Sequence, residues 1–398
     1  MHSVVSQARR RPTRVPYWLT GGFRPFFFLG ALAMAASALM WIPVLLGGIA
    51  LPTLLTPRDW HVHAMLFGGI PALIAGFLLT AVANWTGRRP VAGATLLLLV
   101  VSWLAGIVAV STSAVIGAGP AAAIDMLFPI ALICVVANEI VAARNYRNLR
   151  VVGVVALLAI ANGAFHYEAH AVGFAEHATR AGVALVLVLV MLIGGRIIPA
   201  FTRNWLNARG ASRLPAPFDR TDAVTMVVSA AALALWVWEP SAPAVAWLLV
   251  CAGVLNLHRL SRWCGLEARG EPLLAILHVG FATIPLGFFV LGAALLAPGA
   301  IDPAGALHVW TMGTFGVMTL AVMTRASRGH SGHELRAGKL EIVIFALAVV
   351  GFVARLLAVF AGGAVVHVLE LAGLAWALAY LVFAVGYARM LLLRAHAV

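Results

Sequence analysis

The chain has 398 residues, 63% of them hydrophobic and 10% charged, with a formal net charge of +13. No water-soluble core of this size needs so much apolar side chain, and repeated apolar runs of roughly 20 residues match the hydrocarbon layer of a bilayer. The runs are continuous rather than alternating, which excludes a lipid-spanning barrel and leaves helices.

Twelve membrane spans are expected, near residues 26–50, 61–84, 91–115, 120–142, 149–169, 179–201, 220–238, 243–263, 272–296, 304–325, 340–361 and 364–388. The connections are short, so the fold class is an all-α integral membrane protein with a single polytopic domain over 1–398. Its start, MHSVVSQARRRPTRVPYWLTGG, gives a basic segment over 1–25. The apolar run that follows is long and shows no small-residue cleavage site, so it reads as a retained first span rather than a secretory signal.

Arginine sets the expected orientation. Of the 27 Lys and Arg residues, all but Arg58, Arg180 and Arg355 fall at one set of span ends. Positive residues mark the cytoplasmic side, so both termini are expected in the cytoplasm. Basic ends that meet anionic lipid heads account for the charge without nucleic acid. Cys134, Cys251 and Cys264 form neither a C-x-x-C pair nor a C-x-x-C-H motif, so neither thiol redox chemistry nor covalent haem attachment is indicated. A Walker loop and a dinucleotide fingerprint are also missing.

Ionisable residues inside a membrane are costly and point to function by default. WHVHAMLFGG places His61 and His63 at the entrance of span two, and His308 stands at the start of span ten. His166 and His170 end span five, and His367 begins span twelve, all in one outer layer. Neighbours two apart on a helix diverge by about 200°, so His61 and His63 are expected to serve different centres. His61 with Met65, and His308 with Met312, share helix faces at four-residue spacing. Imidazole with thioether suits copper(I), and membrane packing is the plainer role for the methionines. That division leaves His63 as the haem candidate, with His308 approaching it.

An inner layer holds His258 and His278, nearly symmetric about Ala268, with His330 and His333 after span ten. In a hairpin of spans eight and nine the two rings would lie at one depth, roughly 9 Å inside the span ends. Two histidines from facing helices can hold haem, and Arg259 and Arg262 could meet its propionates. A headgroup-level histidine is the alternative. Arg355 and Glu370 are equidistant from Gly362 and Gly363 and are expected to pair across spans eleven and twelve. Arg196, in GGRIIPAFT, either holds an anionic cofactor group or snorkels to lipid phosphates. Asp125 and Glu139 occupy opposite ends of span four and read as structural.

The stretches GFRPFFFLG, WHVHAMLFGGIPALIAGFLLTAVANWTGR, GGRIIPAFTRNWL, LLAILHVGF and HVWTMGTFGVMTLAVMTRASRGHSG resemble the NnrS family. The second and fifth are the specific ones, and with the twelve-span layout the likeness covers nearly the whole chain. One departure is Ala64, where the family commonly has a glutamate between the histidine and the methionine. The resemblance implies a multi-pass protein of the bacterial inner membrane that carries haem b and copper and acts in nitric oxide metabolism. Its implied ligand candidates are His61, His63, His278, His308 and His330, with Arg24, Arg196 and Arg325 as polar partners.

The expected function is therefore binding of nitric oxide, with reduction or detoxification, fed by a quinol or another electron donor. The rivals are a transporter of a metal or small solute, with helices broken in spans two and nine, and a non-enzymatic nitric oxide sensor or scavenger. A haem absorption band separates the first reading from transport.

Overall fold

In lipid every backbone N–H and C=O must be paired within the chain, so uninterrupted apolar runs become helices. The computed structural model describes residues 15–394. Among these it holds twelve helices long and apolar enough to cross a membrane, and no strand. Spans one to six are Phe23–Leu45, Pro57–Thr86, Ala94–Ser111, Ala118–Ala142, Tyr146–Ala171 and His177–Asn207. Spans seven to twelve are Arg220–Trp238, Pro243–Ser261, Pro272–Leu296, Pro303–His330, Lys339–Leu357 and Val365–Leu392. Each expected span is present. Much of the basic segment expected at 1–25, including RRRPTR, lies outside the described residues.

The ends differ from expectation for local reasons. Span one stops at Leu45 because Gly47 turns into the left-handed region, at φ +74°, where its N–H and that of Gly48 take up the Val44 and Pro43 carbonyls. Span six runs on to Asn207, and its Arg203 guanidinium donates to the Pro215 carbonyl in the following loop.

Spans two and ten begin alike. Thr56 caps span two by accepting from the Asp59 N–H, and Asp302 caps span ten by accepting from Ala304 and Gly305; a proline follows each cap. After one short α-helical stretch both widen into π-helix, over His63–Gly69 and Val309–Val317. Such turns are uncommon and cluster at functional sites. In span two, the Pro71 ring would press on the Phe67 carbonyl of a regular helix, and the wider turn relieves that clash. The Gly68 carbonyl accepts the Trp103 indole N–H at 2.9 Å. In span ten the Gly316 carbonyl accepts the Thr319 hydroxyl at 3.0 Å, and a Cβ on Gly316 would collide with the Trp376 indole. The irregular helices are thus two and ten, where two and nine were expected.

The spans pack in chain order and the ring closes, span twelve lying against span one. Inside it, span six meets spans two, nine and ten, and span two meets span ten. Their burial agrees: 72% of the apolar window of span two is buried and 67% of that of span ten, against 28% for span four on the rim. Between helices in lipid, close packing rather than the hydrophobic effect provides cohesion. Gly76 shows this, since a Cβ there would lie 2.7 Å from the Phe27 ring of span one.

Two charge pairings differ from the sequence expectation. Arg355 and Glu370 do not meet: residues 358–364 form two 3-10 turns rather than a tight hairpin, and Glu370 faces His367 at 3.4 Å on an exposed surface. Arg259 and Arg262 are engaged by carboxylates instead of standing free for propionates. Arg259 is fully buried, with Nε 2.9 Å from Asp222 Oδ1, and Arg262 bonds both Asp222 and Asp219.

Candidate metal centres in two histidine layers

His61 and His63 diverge, as their spacing requires. His63 is buried and faces span four, where its Nε2 lies 3.1 Å from Asp125 Oδ2. His166 of span five reaches the same oxygen with its Nε2 at 3.0 Å. Asn162, one turn before His166 and on its face, donates from Nδ2 to Asp125 Oδ2 at 2.7 Å. The three metal-type donors, His63, Asp125 and His166, lie within 4.8 Å of one another and all are buried.

The local sequence explains this assembly. Asp125 lies about two turns into span four, roughly 10 Å deep. Span three comes close enough at Gly106 that a Cβ there would sit 2.7 Å from Asp125 Oδ1. Phe165 and Phe67 flank the His63 ring at 5.5 and 6.0 Å. A cavity of about 20 Å³ borders Asp125 and Asn162, walled by Phe67, Trp103 and Phe128. Asp125, read as structural from the sequence, is the centre of this group. It brings His63 a carboxylate from another span in a chain that has Ala64 where the family has glutamate.

His61 turns the other way. Its ring stacks on Trp41 of span one, centroids 4.1 Å apart at 18°, and its buried Nδ1 has no hydrogen-bond partner. His308 lies within electrostatic range of His61 rather than joining His63, and Arg355 lies within electrostatic range of both. His308 Nδ1 lies 2.6 Å from the Ala304 carbonyl of its own helix. That contact makes Nδ1 the protonated nitrogen and leaves Nε2 as a lone-pair donor. Met65 and Met312 are partly buried and pack against the hydrophobic core.

The inner layer is split. His278 is buried, its Nε2 2.9 Å from Thr202 Oγ1, and its buried Nδ1 has no hydrogen-bond partner. His258 does not join it. Span eight buries Ala252, Asn256 and Arg259 on one face, which turns Cys251, Val254 and His258 outward. The two-histidine haem clamp expected there is not formed.

The remaining candidates lie toward the basic ends. Arg24 donates to the Met390 carbonyl at 2.8 Å and covers the Tyr17 ring at 3.8 Å. Its neighbour Phe23 packs on the exposed His330, centroids 5.6 Å apart. Arg325 lies over the Phe201 ring at 4.3 Å. Arg196 is exposed and donates to Asn148 at 3.3 Å, which fits snorkelling rather than a buried cofactor contact.

Fold and site together define a multi-pass, all-helical membrane protein with ligand-type histidines held inside the bundle. The family model described as NnrS protein matches residues 17–394, and the chain belongs to the NnrS family. Membership links it to nitric oxide, as the resemblance implies. No curated protein matches the chain.

Proposed function

We propose that this is a haem- and copper-containing protein of the bacterial inner membrane that binds nitric oxide and removes it by reduction, an oxidoreductase with both termini in the cytoplasm. The observation that carries the reading is a pair of buried imidazole nitrogens without hydrogen-bond partners, His61 Nδ1 and His278 Nδ1, at opposite depths of the bundle. A buried polar atom left without a partner is destabilising, and a metal bond would satisfy it.

The residues fit copper at His61 and His308. Both can offer an imidazole lone pair, the donor type that copper accepts, and Arg355 lies within electrostatic range of both. Copper bound there would supply a soft centre able to take up nitric oxide and to exchange an electron. The stacked Trp41 fixes the His61 ring and shields it from water, and the Ala304 carbonyl orients His308. Arg355 adds a positive charge that steadies an anionic ligand.

For haem the donor type fits at His278, but neither described cavity borders that residue or has room for the group. They hold about 20 and 80 Å³, whereas cofactor pockets run from about 300 Å³ upward. The reading assigns haem a ligand in His278 and no chemical step. Nitric oxide is small and apolar and reaches the bundle through lipid, and a quinol or another membrane donor supplies electrons.

One observation favours a second reading. Wide π turns in two helices that meet at the bundle centre resemble the broken helices of transporters, which would carry a metal or small solute. A non-enzymatic sensor or scavenger would share the nitric oxide site and lack turnover. Absorption spectra and elemental analysis of the purified protein decide among these. Haem and copper with nitrous oxide formed from nitric oxide support the proposal; binding without turnover supports a sensor; neither metal supports transport.

A further inference from the structure

We infer that His63, Asp125 and His166 bind one first-row divalent metal ion of the iron(II) class, at a centre separate from the haem and copper proposed above. Two imidazoles and one carboxylate with coordination positions left open form the donor set that non-haem iron(II) favours. The spacing suits it: metal bonds of about 2.1 Å at right angles place neighbouring donor atoms about 3.0 Å apart. The imidazole nitrogens stand 3.1 and 3.0 Å from Asp125 Oδ2, and the three donor atoms fall within 4.8 Å.

Charge points the same way. Asp125 is buried among apolar helices, and its ion-pair partners among the described residues are His63 and His166. No arginine or lysine pairs with it among those residues, so its charge calls for a protonated imidazole or a bound cation. Asn162 behaves as an orienting group. It donates to the oxygen that would ligate the metal, while its own Oδ1 is buried without a partner.

A small cavity adjoins the carboxylate side of the group. It holds about 20 Å³, is bordered by Asp125 and Asn162 but not by His63 or His166, and is otherwise walled mainly by apolar side chains. A water-sized occupant needs roughly 10–15 Å³ by this measure, so the cavity admits one small ligand. A neutral diatomic molecule suits apolar walls better than water does. The metal assignment is independent of nitric oxide; the diatomic occupant rests on the nitric oxide reading.

The test uses the full-length protein in detergent, stripped with a chelator and titrated with cobalt(II) alone as an optical probe. One equivalent should bind with visible d–d bands, and a large excess of iron(II) should compete with it. His166→Ala and Asp125→Ala should abolish the bands, and Asn162→Ala should weaken binding about 10- to 100-fold. His61→Ala and His278→Ala should leave the bands intact. A wild-type protein that binds no cobalt(II) overturns the proposal whatever the variants do, and leaves a hydrogen-bonded proton relay as the role of the group. Bands that survive His166→Ala in a protein eluting as wild type also overturn it. Nitric oxide added to the iron(II)-loaded protein should then give a high-spin non-haem iron–nitrosyl resonance. Its absence with metal bound rejects the diatomic occupant, while failure of nitric oxide to bind anywhere rejects the function proposed above.

Discussion

His63 and His166 converge on one oxygen atom, Asp125 Oδ2, from two different spans at 3.1 and 3.0 Å. Asn162 bonds the same atom, so three side chains from spans two and five depend on one carboxylate of span four. His166→Ala and Asp125→Ala should each destabilise by about 1–3 kcal/mol, the usual effect of leaving buried polar groups unpartnered. Because they share a network, the double variant should lose less than the sum. Denaturation of the three variants in one detergent checks this, and strictly additive losses would show the groups to be independent.

The buried pair Arg259 and Asp222 makes a larger prediction. Asp222→Ala strands the buried Arg259, at a cost of about 3–5 kcal/mol, whereas Arg259→Ala leaves Asp222 paired with Arg262 and should cost less. Replacing both with apolar residues of similar volume should recover much of the loss. Folded yield and thermal inactivation rates measure it, and a harmless Asp222→Ala would contradict the buried pairing.

Glu370→Ala should be close to neutral, within about 0.5 kcal/mol, because its partner His367 is on the surface. Arg355→Ala should instead alter copper content through His61 and His308, to which Arg355 is the neighbouring charge. Copper analysis of both variants separates the two residues. Equal effects would revive the pairing of Arg355 with Glu370.

Asp219 lies outside the spans, and the hydrogen bond from Arg262 lowers its pKa from 3.8 to about 2. A depressed carboxyl contributes stability that is fully present above the unfolded value and is lost as pH falls toward the folded one. The stability contributed by the Asp219–Arg262 contact should therefore be complete above about pH 4 and fade between about pH 4 and pH 2. In unfolding curves across that window, Arg262→Ala should show a flatter pH dependence than wild type.

Helix number and order were legible because lipid forces each long apolar run into one helix, and all twelve runs are plain. The divergence of His61 from His63 was legible too, since helical geometry alone requires it. The pairing of His308 with His61 was not, because rotation of one span against another is set by packing such as Trp41 on His61. Arg355 with Glu370, and His258 with His278, failed for a related reason. Equal distance from a turn fixes depth but not facing, and the alternation of buried Arg259 with exposed His258 decides facing. Asp125 was set aside as a span-end residue, although Asn162 and His166, four apart on one helix face, were a visible sign that span five carries a polar stripe needing a partner. The π turns leave little trace beyond Gly68, Gly69 and Pro71.

The most direct measurement of the central claim is the absorption and electron paramagnetic resonance spectrum of the reduced, purified protein before and after nitric oxide. The account predicts a haem Soret band, a spectrum that changes on addition of nitric oxide, copper by elemental analysis that falls in His61→Ala, and haem that falls in His278→Ala. A protein free of haem and copper, with spectra unchanged by nitric oxide, would contradict it.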